Sequence, residues 1–125
     1  MLRCVLLAAA LACALPAAAQ VQRNFPASAL RGTLAITQPP EVLLNGAPAR
    51  LAPGARIRGT DNLLVLSGGL IGQRFVVDYT VDIAGLVMDV WLLTPQEAAR
   101  QPWPTTAAQA AAWRFDPMAQ TWSRP

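Results

Sequence analysis

Turn-forming residues interrupt this chain so often between residues 38 and 85 that only short strands fit between them. The breaks are Pro39-Pro40, Asn45-Gly46, Pro53-Gly54, Gly59-Thr60-Asp61-Asn62, Ser67-Gly68-Gly69, Gly72 and Asp82-Ile83-Ala84-Gly85. Glycine reaches positive φ at no steric cost, proline presets φ, and Asn or Asp bonds its own turn backbone. Strands punctuated every 8 to 12 residues or so are the pattern of a β-sandwich or barrel.

The intervals carry strand periodicity. Leu30 to Thr37 sets Leu34 and Ile36 on one face and Thr33, Ala35 and Thr37 on the other. Asn45-Gly46 suits a two-residue type I′ turn, which places Leu44 opposite Ala47, Val42 opposite Ala49 and Glu41 opposite Arg50. Pro48 lacks an N–H to donate, which argues for an edge position. Pro53-Gly54 predicts a type II turn, followed by a short strand over Ala55 to Arg58. Leu63 to Leu66 is uninterruptedly apolar and predicts a central strand buried on both faces or curled inside a barrel. Arg74 to Asp82 alternates, with Phe75, Val77, Tyr79 and Val81 inward and Val76, Asp78 and Thr80 outward. Leu86, Met88 and Val90 continue the apolar face after the turn, so a long hairpin sets Asp78 near Asp89 on the solvent side. Asp82 has a turn task, accepting bonds from its own turn backbone.

After residue 93 the grammar becomes helical. Thr94 as N-cap, Pro95 at the first helical position and Glu97 three residues on form a capping box. Pro102 ends that helix, Thr105 or Thr106 caps a second through Ala112, and a small hairpin about residues 116–119 closes the chain. The expected fold is mainly β, a small antiparallel β-barrel or sandwich of five to six strands with one or two short C-terminal helices. The barrel is preferred because closure removes exposed edges. Residues 30–94 form its core and 95–125 a helical, Trp-rich appendage, while 20–29 read as a flexible lead-in with Phe25 as a docking point.

Residues 1–19, MLRCVLLAAALACALPAAA, read as a secretory signal peptide with a positive start at Arg3 and an apolar run from Cys4 to Leu15. Ala17-Ala18-Ala19 offers a small-x-small cleavage site, with the cut between Ala19 and Gln20. The segment is too short to anchor the chain, since about 18 to 20 apolar residues are needed to cross a bilayer. The rival is lipoprotein processing at Cys13, which leaves an abbreviated apolar run. The expected address is the periplasm or the exterior of a Gram-negative cell, with no transmembrane helix in the mature form.

Removing the leader takes both cysteines, Cys4 and Cys13, and the chain has no His and no Lys. Disulfides, thiolate or imidazole metal sites, Cys nucleophiles and His bases all go with them, so neither a metal nor another cofactor is expected. About 106 residues remain, enough for one domain held by its core, and a monomer is the default. Nine arginines scattered against seven acids leave roughly +2, which is not the clustered field of a nucleic-acid binder.

The run RGTLAITQPPEVLLNGAPARLAPGARIRGTDNLLVLSGGLIGQRFVVDYTVDIAGLVMDVWLLTPQEAA resembles a family of small uncharacterised exported proteins of β-proteobacteria. That resemblance implies export and an envelope address, and transfers no functional residue.

The candidate chemistry is thin. Asp78 and Asp89 could serve a glycan hydrolase if they lie at the separation that retaining or inverting chemistry requires, although alternating outward charges are ordinary on a solvent-facing hairpin. Ser28, Ser67 and Ser123 lack a base, and no Asp-rich calcium loop appears. Arg56 and Arg58 share a strand face and could grip an anionic polymer or membrane surface, or simply be solvated. Trp103, Trp113 and Trp122 could stack on a ligand, yet tryptophans also make cores, and these can pin the appendage to the barrel alongside Trp91. The preferred reading is a non-enzymatic exported domain that contacts an envelope protein or polymer.

Overall fold

In the computed structural model, which describes residues 22–125, the strands follow the turn signals; the leader with Cys13, Ala19 and Gln20 lies outside the described residues. The elements are β1 (Leu30–Gln38), β2 (Glu41–Leu44), β3 (Ala47–Arg58), β4 (Leu64–Val65), β5 (Arg74–Val81) and β6 (Val87–Leu92). Then come α1 (Pro95–Ala98), α2 (Ala107–Ala112), β7 (Arg114–Asp116) and β8 (Thr121–Ser123). Five strands close a barrel in the circuit β1-β2-β3-β6-β5-β1, and β4 hangs on β3 outside it. Numbered within the ring this circuit is 1-2-3-5-4-1, the Greek-key circuit of an OB-type barrel. β7 and β8 form a separate two-stranded sheet.

Local chemistry explains the first hairpin. Asn45 (φ 54) and Gly46 (φ 79) both take positive φ, and the register is Leu44 with Ala47, Val42 with Ala49 and Glu41 with Arg50, as expected. Pro48 lies where β3 pairs with β2 alone, so its missing donor leaves no ladder bond unmade. Pro53-Gly54 does not reverse the chain. β3 runs through it, Gly54 sits at φ 79, and the pairing with β6 shifts register between Leu51 and Arg56. A left-handed glycine bends a strand as readily as it closes a turn, and here the bend carries β3 from its β2 partner to its β6 partner. The β3–β6 seam is parallel, whereas the other barrel pairs are antiparallel as predicted.

Inward positions fill the barrel. Leu34, Ile36, Val42, Ile57, Val77, Tyr79, Val87, Val90 and Leu92 form one buried cluster, each large aliphatic side chain contributing about 1.5–3 kcal/mol by leaving water. A second apolar layer lies outside the ring, where Phe25, Ala29, Trp103 and Trp122 pack with Trp91, Leu93, Trp113 and Phe115. The segment expected to be flexible is therefore pinned: Arg23, Phe25 and Ala29 are buried. Leu63 to Leu66 departs most from expectation. Only Leu64 and Val65 pair, and with β3 alone, because the other strands already supply the interior.

Candidate functional site

Strand alternation turns Val77 and Tyr79 into the barrel and Asp78 outward, but outward here does not mean solvent. Asp78 is completely buried under the C-terminal segment. Its cross-strand partner is Arg31, whose Nε donates to Oδ1 at 2.9 Å. Arg31 also donates to the carbonyls of Glu97, Ala98 and Arg100 at 3.0–3.3 Å, closing the carbonyl end of α1, and its guanidinium lies 4.8 Å from the Trp103 ring centroid. Burial pushes the Asp78 carboxyl above its ordinary value despite the Arg31 bond and charge, and Oδ2 has no hydrogen-bond partner.

A second buried pair stands beside it. Arg23 Nε donates to Glu97 Oε2 at 2.9 Å, Nη2 to Oε1 and to the Leu92 carbonyl, and Nη1 to the Gly59 carbonyl at 2.8 Å. Glu97 completes the predicted capping box, accepting from the Thr94 N–H at 2.9 Å while Thr94 Oγ1 accepts from the Glu97 N–H. Burial alone would raise Glu97, but the bonds from Arg23 and Thr94 outweigh it and hold the carboxyl below its usual range. Both acids thus serve to lock the lead-in and appendage to the barrel wall.

Asp78 and Asp89 do not stand directly opposite each other but as diagonal neighbours on one face of the hairpin. A register shift between Tyr79 and Val81 puts Asp78 opposite Trp91, and Asp89 instead exchanges hydrogen bonds with the Thr80 hydroxyl. Arg56 and Arg58 do project to one side. Arg56 is exposed and cross-strand from Asp89, while Arg58 is half-buried between Trp91 and Leu64. Trp103 and Trp122 are buried, and Trp103 donates through Nε1 to the Ala29 carbonyl at 3.0 Å. Trp113 is half-exposed, with the Arg124 guanidinium 5.2 Å from its ring centroid, beside a shallow groove of about 600 Å³. Among the described residues no cluster of three or more acidic side chains could hold a metal ion, and no helix is long and apolar enough to cross a membrane.

The feature that residue-by-residue reading missed is the apolar segment around β4. Leu63, Leu64, Leu66 and Ile71 are 66, 62, 86 and 52% exposed. Its base is tightly built: the Gly59 N–H donates to the Leu63 carbonyl, the Asn62 N–H to the Gly59 carbonyl, and the Leu63 N–H to Asp61 Oδ1. Beside it runs a groove of about 600 Å³ walled by Val65, Phe75, Val76, Leu92 and Leu93. Large aliphatic side chains exposed this close together along the chain are candidates for a contact site. The available signal was a count, because inward positions elsewhere already fill a five-stranded ring. Elsewhere on the barrel a shallow groove lies among Pro40, Arg50, Pro53 and Leu86. No family model, curated protein or solved structure matches the chain.

Proposed function

We propose that this chain is a non-catalytic, exported binding domain of the Gram-negative envelope, and that it works through the apolar surface around β4. One observation carries the reading: four large aliphatic side chains within nine residues stand in solvent, on a base fixed by three short-range hydrogen bonds. Exposed leucines lower solubility, so a chain retains them where something covers them. The buried acids support the same reading, since Asp78 and Glu97 are each engaged by an arginine, and Asp89 by Thr80. Export rests on the leader, which has the three parts of a signal peptide.

A photo-crosslinking residue placed at Leu66 in intact cells tests the contact surface. The expected result is a specific adduct at position 66 and none at Ala119, an exposed residue of the β7–β8 turn. Equal labelling at both positions, or none at either, removes the proposal. Fractionation of the same cells checks export, with the chain expected in the periplasm or on the envelope.

A further inference from the structure

We infer that the occupant of this surface is a lipid bilayer, against which the tip of β4 and the following turn rest. This rests on the reading of the β4 surface as a contact site, and goes on to name its partner. Successive residues of an extended strand point to opposite faces. Leu64 and Leu66 are 62 and 86% exposed on one side and Leu63, just before the strand, is 66% exposed, whereas Val65 is half-buried against the groove, so the bare surface extends well beyond the groove side. A peptide added to the β4 edge or laid in the groove would cover one side. Fluid hydrocarbon surrounds the whole tip, and apolar faces of interfacial segments sink about 5–10 Å into the headgroup boundary.

The path of the chain points the same way. Arg23 donates to the Gly59 carbonyl, four residues before Leu63, so the residues preceding Gln22 join the fold at the base of this apolar tip. Those residues include the apolar leader and Cys13, the alternative site of acylation. Were the chain processed at Cys13 rather than after Ala19, at most about 30 Å of extended chain would separate the lipid from Gln22. The charge around the tip suits anionic headgroups. Arg58 lies cross-strand from Leu64 and Arg74 lines the groove beside Val65, against the single acid Asp61.

Sedimentation with vesicles tests the inference, using residues 20–125, which contain both apolar clusters entire. Vesicles of phosphatidylethanolamine with phosphatidylglycerol should carry the protein down, more so at low salt. Leu64→Ser with Leu66→Ser should lower the bound fraction about tenfold while leaving near-UV dichroism unchanged, since both side chains stand outside the cores. Arg58→Gln with Arg74→Gln should flatten the salt dependence. Wild-type protein left in the supernatant, or leucine variants that bind as well as wild type, would overturn the lipid assignment. If vesicles fail but position 66 crosslinks a protein in cells, the contact surface stands and its partner is a protein. If both fail, the contact surface itself is lost.

Discussion

Arg31 and Asp78 face each other across the β1–β5 ladder and bond at 2.9 Å on the outside of the barrel, sealed beneath the segment that follows α1. A wall position that alternation assigns to solvent thereby becomes the polar centre of a second core. The arrangement fixes three things at once: the outer ends of two strands, the carbonyl end of α1 and the Trp103 ring.

Removing one member should be costly, and removing both somewhat less so. Asp78→Ala leaves the Arg31 charge buried without its carboxylate, and we expect a loss of about 3–5 kcal/mol in urea unfolding. Arg31→Met with Asp78→Leu should recover only the part of that loss due to the unpaired charge, because the carbonyls of Glu97, Ala98 and Arg100 still lose their donor. A double variant as unstable as the single one would contradict the account.

The two buried acids should respond to pH with opposite sign. Asp78 is raised above 3.8, so between its folded value and 3.8 the folded chain binds a proton that the unfolded chain does not, and acidification through that window adds stability. Glu97 is lowered below 4.5, so its contribution is present above 4.5 and is lost as pH falls through its folded value. Unfolding free energies measured against pH should show the advantage of wild type over Asp78→Asn growing on acidification. Its advantage over Glu97→Gln should shrink below pH 4.5.

Thr94→Ala removes the oxygen that accepts from the Glu97 N–H at 3.2 Å. A stability loss of about 0.5–2 kcal/mol is expected, as for other helix N-caps. Thr94→Ser should restore most of it, and thermal denaturation distinguishes the two.

Glycines 32 and 69 should differ sharply. A Cβ on Gly32 would stand 2.8 Å from Asn45 Oδ1 and 3.0 Å from the Tyr79 ring, and that same Asn45 oxygen holds the Thr33 N–H. Gly32→Ala should therefore cost about 1–3 kcal/mol. A Cβ on Gly69 meets nothing within 4 Å, so Gly69→Ala should change stability by less than about 0.5 kcal/mol.

Tryptophan emission reports the outer core. Trp103 and Trp122 are 5 and 6% exposed, so the bulk emission should be blue-shifted and resist acrylamide. Trp91 and Trp113 are the two partly exposed rings, so Trp113→Phe should remove part, but not all, of the quenchable emission. Trp122→Ala should cost about 3–5 kcal/mol by emptying the stack with Phe115.

What was legible in the residue string was local. The Asn45-Gly46 register, the bonds from the Asp82 turn to its own carboxylate and the Thr94 capping box depend on residues a few positions apart, and each formed as expected. Asp78 was misplaced because alternation marks which side of a strand a residue takes, not whether another layer covers that side. Arg31, Asp78 and the carbonyls of residues 97–100 are brought together only by the closed ring. Four tryptophans in the last third of the chain were a usable hint that some outer wall had to be dry. Leu63 to Leu66 failed for the converse reason, since an apolar run is equally compatible with a full interior that has no place for it.

The parallel junction of β3 with β6 also sets the order in which the molecule can be completed. Strands β1, β2 and β3 can meander together through near neighbours, but the ring has no closure until Val87–Leu92 slots between β3 and β5. Pairings so distant along the chain are slow to form because loop closure comes before their reward. A chain ending before Val87 would be an open sheet with two bare edges, and closure waits until nearly three quarters of the chain is present.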